Sequence, residues 1–176
     1  MNSSRIVITG GPGAGKTTLL LALQARGFTI VADSARAIIQ DRRRRGLSPR
    51  PTADEFVRET LRMDIENFGR HAATPGHVFF ERGVLDALCG LDRVSPLSES
   101  ELSSWVSKYQ YNSTVFVLPT WKAIYVIDAE RDHTFEHAER VDSTVREWYR
   151  RCRYQLVEVP RVSVEERCAH VLQMLV

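Results

Sequence analysis

Gly10-Gly11-Pro12-Gly13-Ala14-Gly15-Lys16-Thr17 fits the spacing G-x-x-x-x-G-K-[ST]. Each residue type in that spacing has a chemical use. Glycines let the main chain approach a phosphate closely and aim several N–H groups at it. The Lys16 ammonium can reach β- and γ-phosphates, and the Thr17 hydroxyl can ligate Mg²⁺. The stretch expected to carry a nucleoside triphosphate, ATP or GTP, runs from Gly10 to Thr18. Carboxylates and guanidiniums recur in two further places, Asp33-Ser34-Ala35-Arg36 and Glu81-Arg82-Gly83 with Asp86 beyond. An acid beside such a loop can hold Mg²⁺ or take a proton from an attacking hydroxyl. Glu81 suits mainly the first task and Asp33 mainly the second. Asp33 could instead cap a helix, a common use of Asp, but the functional reading is favoured. Arg36, Glu81 and Asp86 are candidates, with Asp33, to contact an acceptor.

These residues need a scaffold that brings them together. Arg5-Ile6-Val7-Ile8-Thr9 reads as a buried strand feeding the loop, and Thr18 to Ala25 as the helix after it. That order also places a favourable helix dipole at the phosphate site. Five apolar runs are predicted strands: Ile6–Thr9, Phe28–Ala32, Val78–Glu81, Thr114–Leu118 and Tyr154–Val159. Helical patterns separate most of them, which argues for an α/β fold with a parallel sheet covered on both faces. Ligands in such sheets sit at the carboxyl ends of the strands, where Asp33 and Glu81 fall.

Three helix starts carry a hydroxyl residue followed three places later by Glu: Thr52…Glu55, Ser98…Glu101 and Ser163…Glu166. That is a capping box. Val57, Leu61, Ile65 and Phe68 recur at helical spacing, as do Phe135, Ala138, Val141, Val145, Trp148 and Cys152; both stripes read as core. Residues 46–51 form a loop by their Gly and Pro content. Ile124 to Ile127 could be a sixth strand or a piece lining the site, and the second reading is favoured.

At 176 residues one domain, 1–176, is expected. A net charge of +2 does not mark a bulk polyanion binder. Basic residues are mostly Arg, with only Lys16, Lys108 and Lys122 as lysines. Cys89, Cys152 and Cys168 lack close pairs and suggest neither a disulfide frame nor a zinc site. No run approaches a membrane span and no signal peptide fits, so a reducing cytoplasm is the default. Arg42 to Arg45 close the second helix, where the dipole favours cations. They also raise a nucleic-acid-acting ATPase, against which the low net charge counts. Arg131, just before the long helix, can stabilise a phosphoryl group in transfer or sit on a solvated face; Arg140 is a weaker case. The five histidines form no metal pattern.

Taken together, Gly10–Thr17, Asp33–Arg36, Phe80–Asp86, Asp128–Arg131 with Thr134–Glu136, and Tyr154–Pro160 resemble a small P-loop family of AAA-type ATPases and kinases. That family is similar to thymidylate kinase and to the ribosylnicotinamide kinase part of NAD regulators. The resemblance implies a P-loop NTPase sheet in the order 2-3-1-4-5 with a lid between strands four and five. It implies ATP or GTP binding with Mg²⁺. It maps a base onto Asp33, where related kinases often carry Glu, and an acid–arginine pair onto Glu81 and Arg82. It places the nucleobase near Arg161, in the loop after strand five.

Two functions follow as expectations. One is a kinase moving the γ-phosphate to a hydroxyl of a small metabolite or nucleoside, with Lys16, Asp33, Arg82 and Arg131 catalytic. The other is a nucleotide-dependent regulatory switch, ATPase or GTPase, with no small-molecule acceptor.

Overall fold

Alternation of side chains along the central strands decides the layers of this molecule. A computed structural model describes residues 4–49, 51–125 and 134–175. Its strands are β1 (Arg5–Gly10), β2 (Thr29–Val31), β3 (Val78–Glu81), β4 (Thr114–Leu118) and β5 (Gln155–Glu158). All four pairings are parallel, in the order β2-β3-β1-β4-β5. Successive strand residues face opposite sides of a sheet. Val7, Phe80, Val115 and Val117 therefore enter one core, while Ile6, Ile8, Phe79 and Phe116 enter the other.

The helices are α1 (Lys16–Ala25), α2 (Ser34–Arg44), α3 (Ala53–Arg70), α4 (Val84–Val94), α5 (Glu99–Lys108), α6 (Phe135–Arg151) and α7 (Val164–Gln173). Residues of α1 and α7 fill the second core through Leu19, Leu20, Leu23, Cys168 and Val171. Residues of α3, α4, α5 and α6 fill the first through Leu61, Leu88, Leu102 and Trp148. Capping boxes form at Thr52, Ser98 and Ser163, as their spacing predicts. Thr134 caps α6 by accepting from the His137 N–H.

The outer strands are shorter than the apolar runs suggest: β2 omits Phe28 and Ala32, and β5 omits Tyr154 and Val159. Each is an edge strand with a single neighbour, and each begins opposite the first residue of that neighbour. Lys122–Ile124 is a 3₁₀ turn, so the described part of the 124–127 segment is a lining piece. Residues 126–133, which include Arg131 and part of the expected lid, lie outside the described residues. Cys89, Cys152 and Cys168 are free, buried thiols. Among the described residues, no helix is long and apolar enough to cross a membrane.

Candidate active site

The parallel sheet delivers five strand ends to one rim. From β1 the chain turns through Gly11–Gly15 into α1, and two of its glycines are required there. Gly15 caps α1 with φ 84°, a left-handed conformation that favours glycine. A Cβ on Gly15 would lie 2.8 Å from Arg167 Nη1. Gly13 has φ 79°, and a Cβ there would collide with the Tyr125 ring. The loop is thus stripped to backbone where a phosphate must approach.

Lys16 is 5% exposed. Its Nζ donates to the Gly10 carbonyl at 3.1 Å and the Gly11 carbonyl at 2.8 Å. Burial, helped by the nearby Arg82 charge, lowers its pKa to about 8, while Glu81, Asp33 and Asp86 pull the other way. Ile8 pairs with Glu81 across β1 and β3, which brings that carboxylate beside the start of α1. Thr17 Oγ1 lies 2.9 Å from both Glu81 oxygens. Burial raises the Glu81 pKa, against the pull of Lys16.

A hydroxyl and a carboxylate in contact are hard oxygen donors of the kind Mg²⁺ accepts. No cluster of three or more metal-ligating side chains exists among the described residues. Thr17 and Glu81 are the residues that would hold Mg²⁺.

Arg82 follows Glu81 with φ 65°, a conformation costly for a residue with a side chain and characteristic of functional sites. Its Nε lies 3.7 Å from Asp33 Oδ2, and its Nη2 donates to the Gly10 carbonyl at 3.4 Å. Burial opposes its charge, but Asp33, Asp86 and Glu81 together hold its pKa above the usual arginine value. Asp33 does cap α2, accepting from the Ala35 N–H through Oδ1 at 2.9 Å. Its Oδ2 is the oxygen turned toward Arg82. The helix cap and the contact with Arg82 therefore use different oxygens of one carboxylate.

Asp86 ties three elements together. It accepts from Thr9 Oγ1 at 2.5 Å, from the Tyr149 hydroxyl at 2.6 Å and from the Gly83 N–H at 3.1 Å. Burial raises its pKa, with Arg82 and the two hydroxyls opposing.

Two cavities meet at this rim. The larger, about 760 Å³, is lined by Gly13, Lys16, Thr17, Glu81 and their neighbours. The second, about 480 Å³, is lined by Asp64, Asp86, Val57 and Ala87 among others. Asp33, Ala35, Phe56 and Arg82 line both. Asp64 on α3 is 7% exposed and accepts from Ser34 Oγ at 2.5 Å. Burial raises its pKa to about 7.

The structure brings together Pro12 to Thr18, Asp33, Arg36, Glu81 and Arg82 around the larger cavity. Asp86 borders the second. Gly10 and Gly11 contribute the carbonyls that hold Lys16. Arg161 lies elsewhere: it donates to the Thr120 carbonyl through Nε at 3.1 Å and Nη2 at 3.0 Å and does not line the larger cavity. That wall comes from Ile124, Val164 and Arg167. Arg131 lies outside the described residues. Arg42 bonds the Ser48 carbonyl and Glu59, and Arg44 and Arg45 pair with Asp41. Sequence reading missed Asp64, Phe56 and Arg167. Asp64 and Phe56 sit in an ordinary amphipathic helix pattern, and Arg167 is one arginine among many; only the tertiary fold buries the two charges.

Comparisons with known proteins identify the family and the fold. The model of a family described as an AAA domain matches residues 5–167. Deoxyadenosine kinase from M. mycoides, solved with bound dATP, superposes with a TM-score of 0.66 at 13% identity, covering 97% of this chain and 98% of that one. Thymidylate kinase from Ehrlichia chaffeensis has a TM-score of 0.59 at 16% identity, covering 99% of each chain. The YorR protein from Bacillus subtilis, in complex with phosphorylated GDP, has a TM-score of 0.59 at 12% identity, covering 97% and 95%. No curated protein matches in sequence. The sheet is that of the P-loop nucleotide kinases.

Proposed function

This chain belongs to the AAA domain family, and we propose that it is a P-loop phosphotransferase moving the γ-phosphate of ATP or GTP to a hydroxyl of a small metabolite or nucleoside. The observation that carries this reading is the shared wall of the two cavities. A nucleotide in the larger cavity and an acceptor in the smaller would meet at Asp33 and Arg82.

Loop amides and Lys16 hold the polyphosphate. Thr17 and Glu81 would hold Mg²⁺, which would supply positive charge to the transferring phosphates. The acceptor hydroxyl stands within reach of Asp33 Oδ2. Its oxygen bonds to the γ-phosphorus as the bond to the β-bridging oxygen breaks, its proton passes to Asp33, and the nucleoside diphosphate leaves. Arg82, and Arg131 from the segment after β4, stabilise charge on the equatorial oxygens. Asp86 positions this machinery from behind, and Arg36, expected at the acceptor, lines the nucleotide cavity instead.

Lining charge favours an uncharged acceptor. Asp33, Asp64 and Asp86 face two guanidiniums in the second cavity, Arg82 and Arg93. Arg82 is committed to Asp33 and Arg93 lies at the exposed rim. A phosphate ester there would meet three acidic side chains that already share the Arg82 charge. Three free thiols suit a reducing cytoplasm.

A panel of nucleosides and neutral hydroxyl metabolites, with their monophosphates, should be incubated with γ-labelled ATP and GTP. The expected result is label on a neutral acceptor and on no monophosphate. Asp33→Asn should retain nucleotide binding, because Asn also caps helices, and lose transfer roughly a hundredfold or more. Slow hydrolysis with every acceptor untouched, equal in Asp33→Asn, would replace the kinase with the regulatory switch.

A further inference from the structure

Most half-buried guanidiniums described in this molecule have been neutralised by acids. Arg82 faces Asp33, Arg146 pairs with Asp142 and Glu158, and Arg151 pairs with Asp92 and Glu99. Arg167 is different. It is 5% exposed, its Nε is buried without a hydrogen-bond partner, and among the described residues it makes no ion pair. The Trp121 ring lies 5.7 Å from the guanidinium carbon. Burial lowers its pKa below the usual arginine value, with Cys168 and Glu165 pulling the other way. A buried cation without an anion costs stability. Such a group persists where an anion arrives from outside.

Its position says which anion. Arg167 lines the larger cavity, and its Nη1 crowds Gly15, the last residue before α1. Lys16 Nζ serves the opposite end of the loop, at the Gly10 and Gly11 carbonyls. The cavity therefore has a direction. Asp33, Arg82 and Phe56 form the end shared with the acceptor cavity. Arg167, Ile124 and Val164 form another part of its wall, two of them apolar. A triphosphate laid with its γ end at Arg82 runs back along the loop toward α7.

We infer that Arg167 grips the phosphate nearest the base, the α-phosphate, with Ile124 and Val164 flanking the start of the nucleoside. This rests on the reading that Gly10–Thr18 holds a nucleoside triphosphate. A guanidinium fork suits phosphate oxygens, and its hydrogen bonds are charge-assisted. The same residue is a liability in the nucleotide-free protein and an asset in the complex.

The test uses the full chain with Mg-ATP, Mg-GTP and Mg-tripolyphosphate as probes, comparing wild type, Arg167→Met and Arg167→Lys. Titration calorimetry of Arg167→Met should show all three ligands bound roughly tenfold or more weakly. Arg167→Lys, which keeps a charge but not the fork, should fall between. Without ligand, Arg167→Met should melt at least roughly 2 °C higher than wild type, because a buried unpaired charge is gone. A residue with only a structural role would melt lower on substitution, and that result overturns the proposal. So do unchanged affinities, and so does a loss confined to the two nucleotides with tripolyphosphate unaffected, which would make Arg167 a base contact. Wild type that binds none of the three ligands defeats the nucleotide reading itself, a failure separable from that of Arg167.

Discussion

Lys16 is a cation enclosed by carbonyls and near-neighbour charges, and that placement has a pH signature. Its ordinary value of 10.5 falls to about 8 in the folded chain. Between those values the unfolded chain binds a proton that the folded chain has lost, so this group makes ligand-free stability rise with pH. A bound triphosphate restores the ammonium, so nucleotide affinity falls as pH climbs through about 8. Binding of Mg-ATP should be roughly tenfold weaker at pH 9 than at pH 7. Calorimetry at the two pH values checks this, and a flat profile contradicts it. Lys16 and Thr17 are legible in the sequence because the phosphate loop fixes both type and spacing. Asp64 and Arg167 are not, because each sits at helical spacing where a charge ordinarily meets water. Arg161 follows the expected strand, but its side chain spans to the Thr120 carbonyl. Asp33 resists a single reading because its two oxygens face different partners.

At the scale of elements, α4 is held to β1 and α6 by one carboxylate. Asp86 accepts from Thr9 on β1, from Tyr149 on α6 and from the Gly83 N–H that opens α4. Asp86→Ala leaves those three donors without their partner and takes one counter-charge from Arg82. The expected loss is roughly 3 kcal/mol or more in a denaturant titration. A loss under about 1 kcal/mol would show that Asp86 does not brace these elements. Central strands were legible because β1, β3 and β4 are buried on both faces and read as continuous apolar runs. Helix starts were legible because the capping box is local chemistry, independent of the rest of the fold. The lengths of β2 and β5 were not, since the extent of an edge strand depends on pairing with its single neighbour. Nor was the 3₁₀ turn at Lys122–Ile124, whose apolar residues look the same in a strand.

Across the whole molecule, sheet order governs what can react with what. With β1 between β3 and β4, the phosphate loop lies beside the Glu81–Arg82 turn. Beyond β3, β2 brings Asp33 to the same rim, where it separates the two cavities. Two cavities on either side of one carboxylate and one guanidinium suit the proposed transfer between a donor and an acceptor. The likeness to deoxyadenosine and thymidylate kinases, at 13% and 16% identity, is one of fold, so the claim that a triphosphate sits on this loop stands on the loop itself. Titration calorimetry of Mg-ATP and Mg-GTP into wild type and Lys16→Met tests it most directly. The account predicts saturable binding of at least one nucleotide by wild type, weakened roughly tenfold or more in Lys16→Met. Absence of binding to wild type, or equal binding to both proteins, would contradict it.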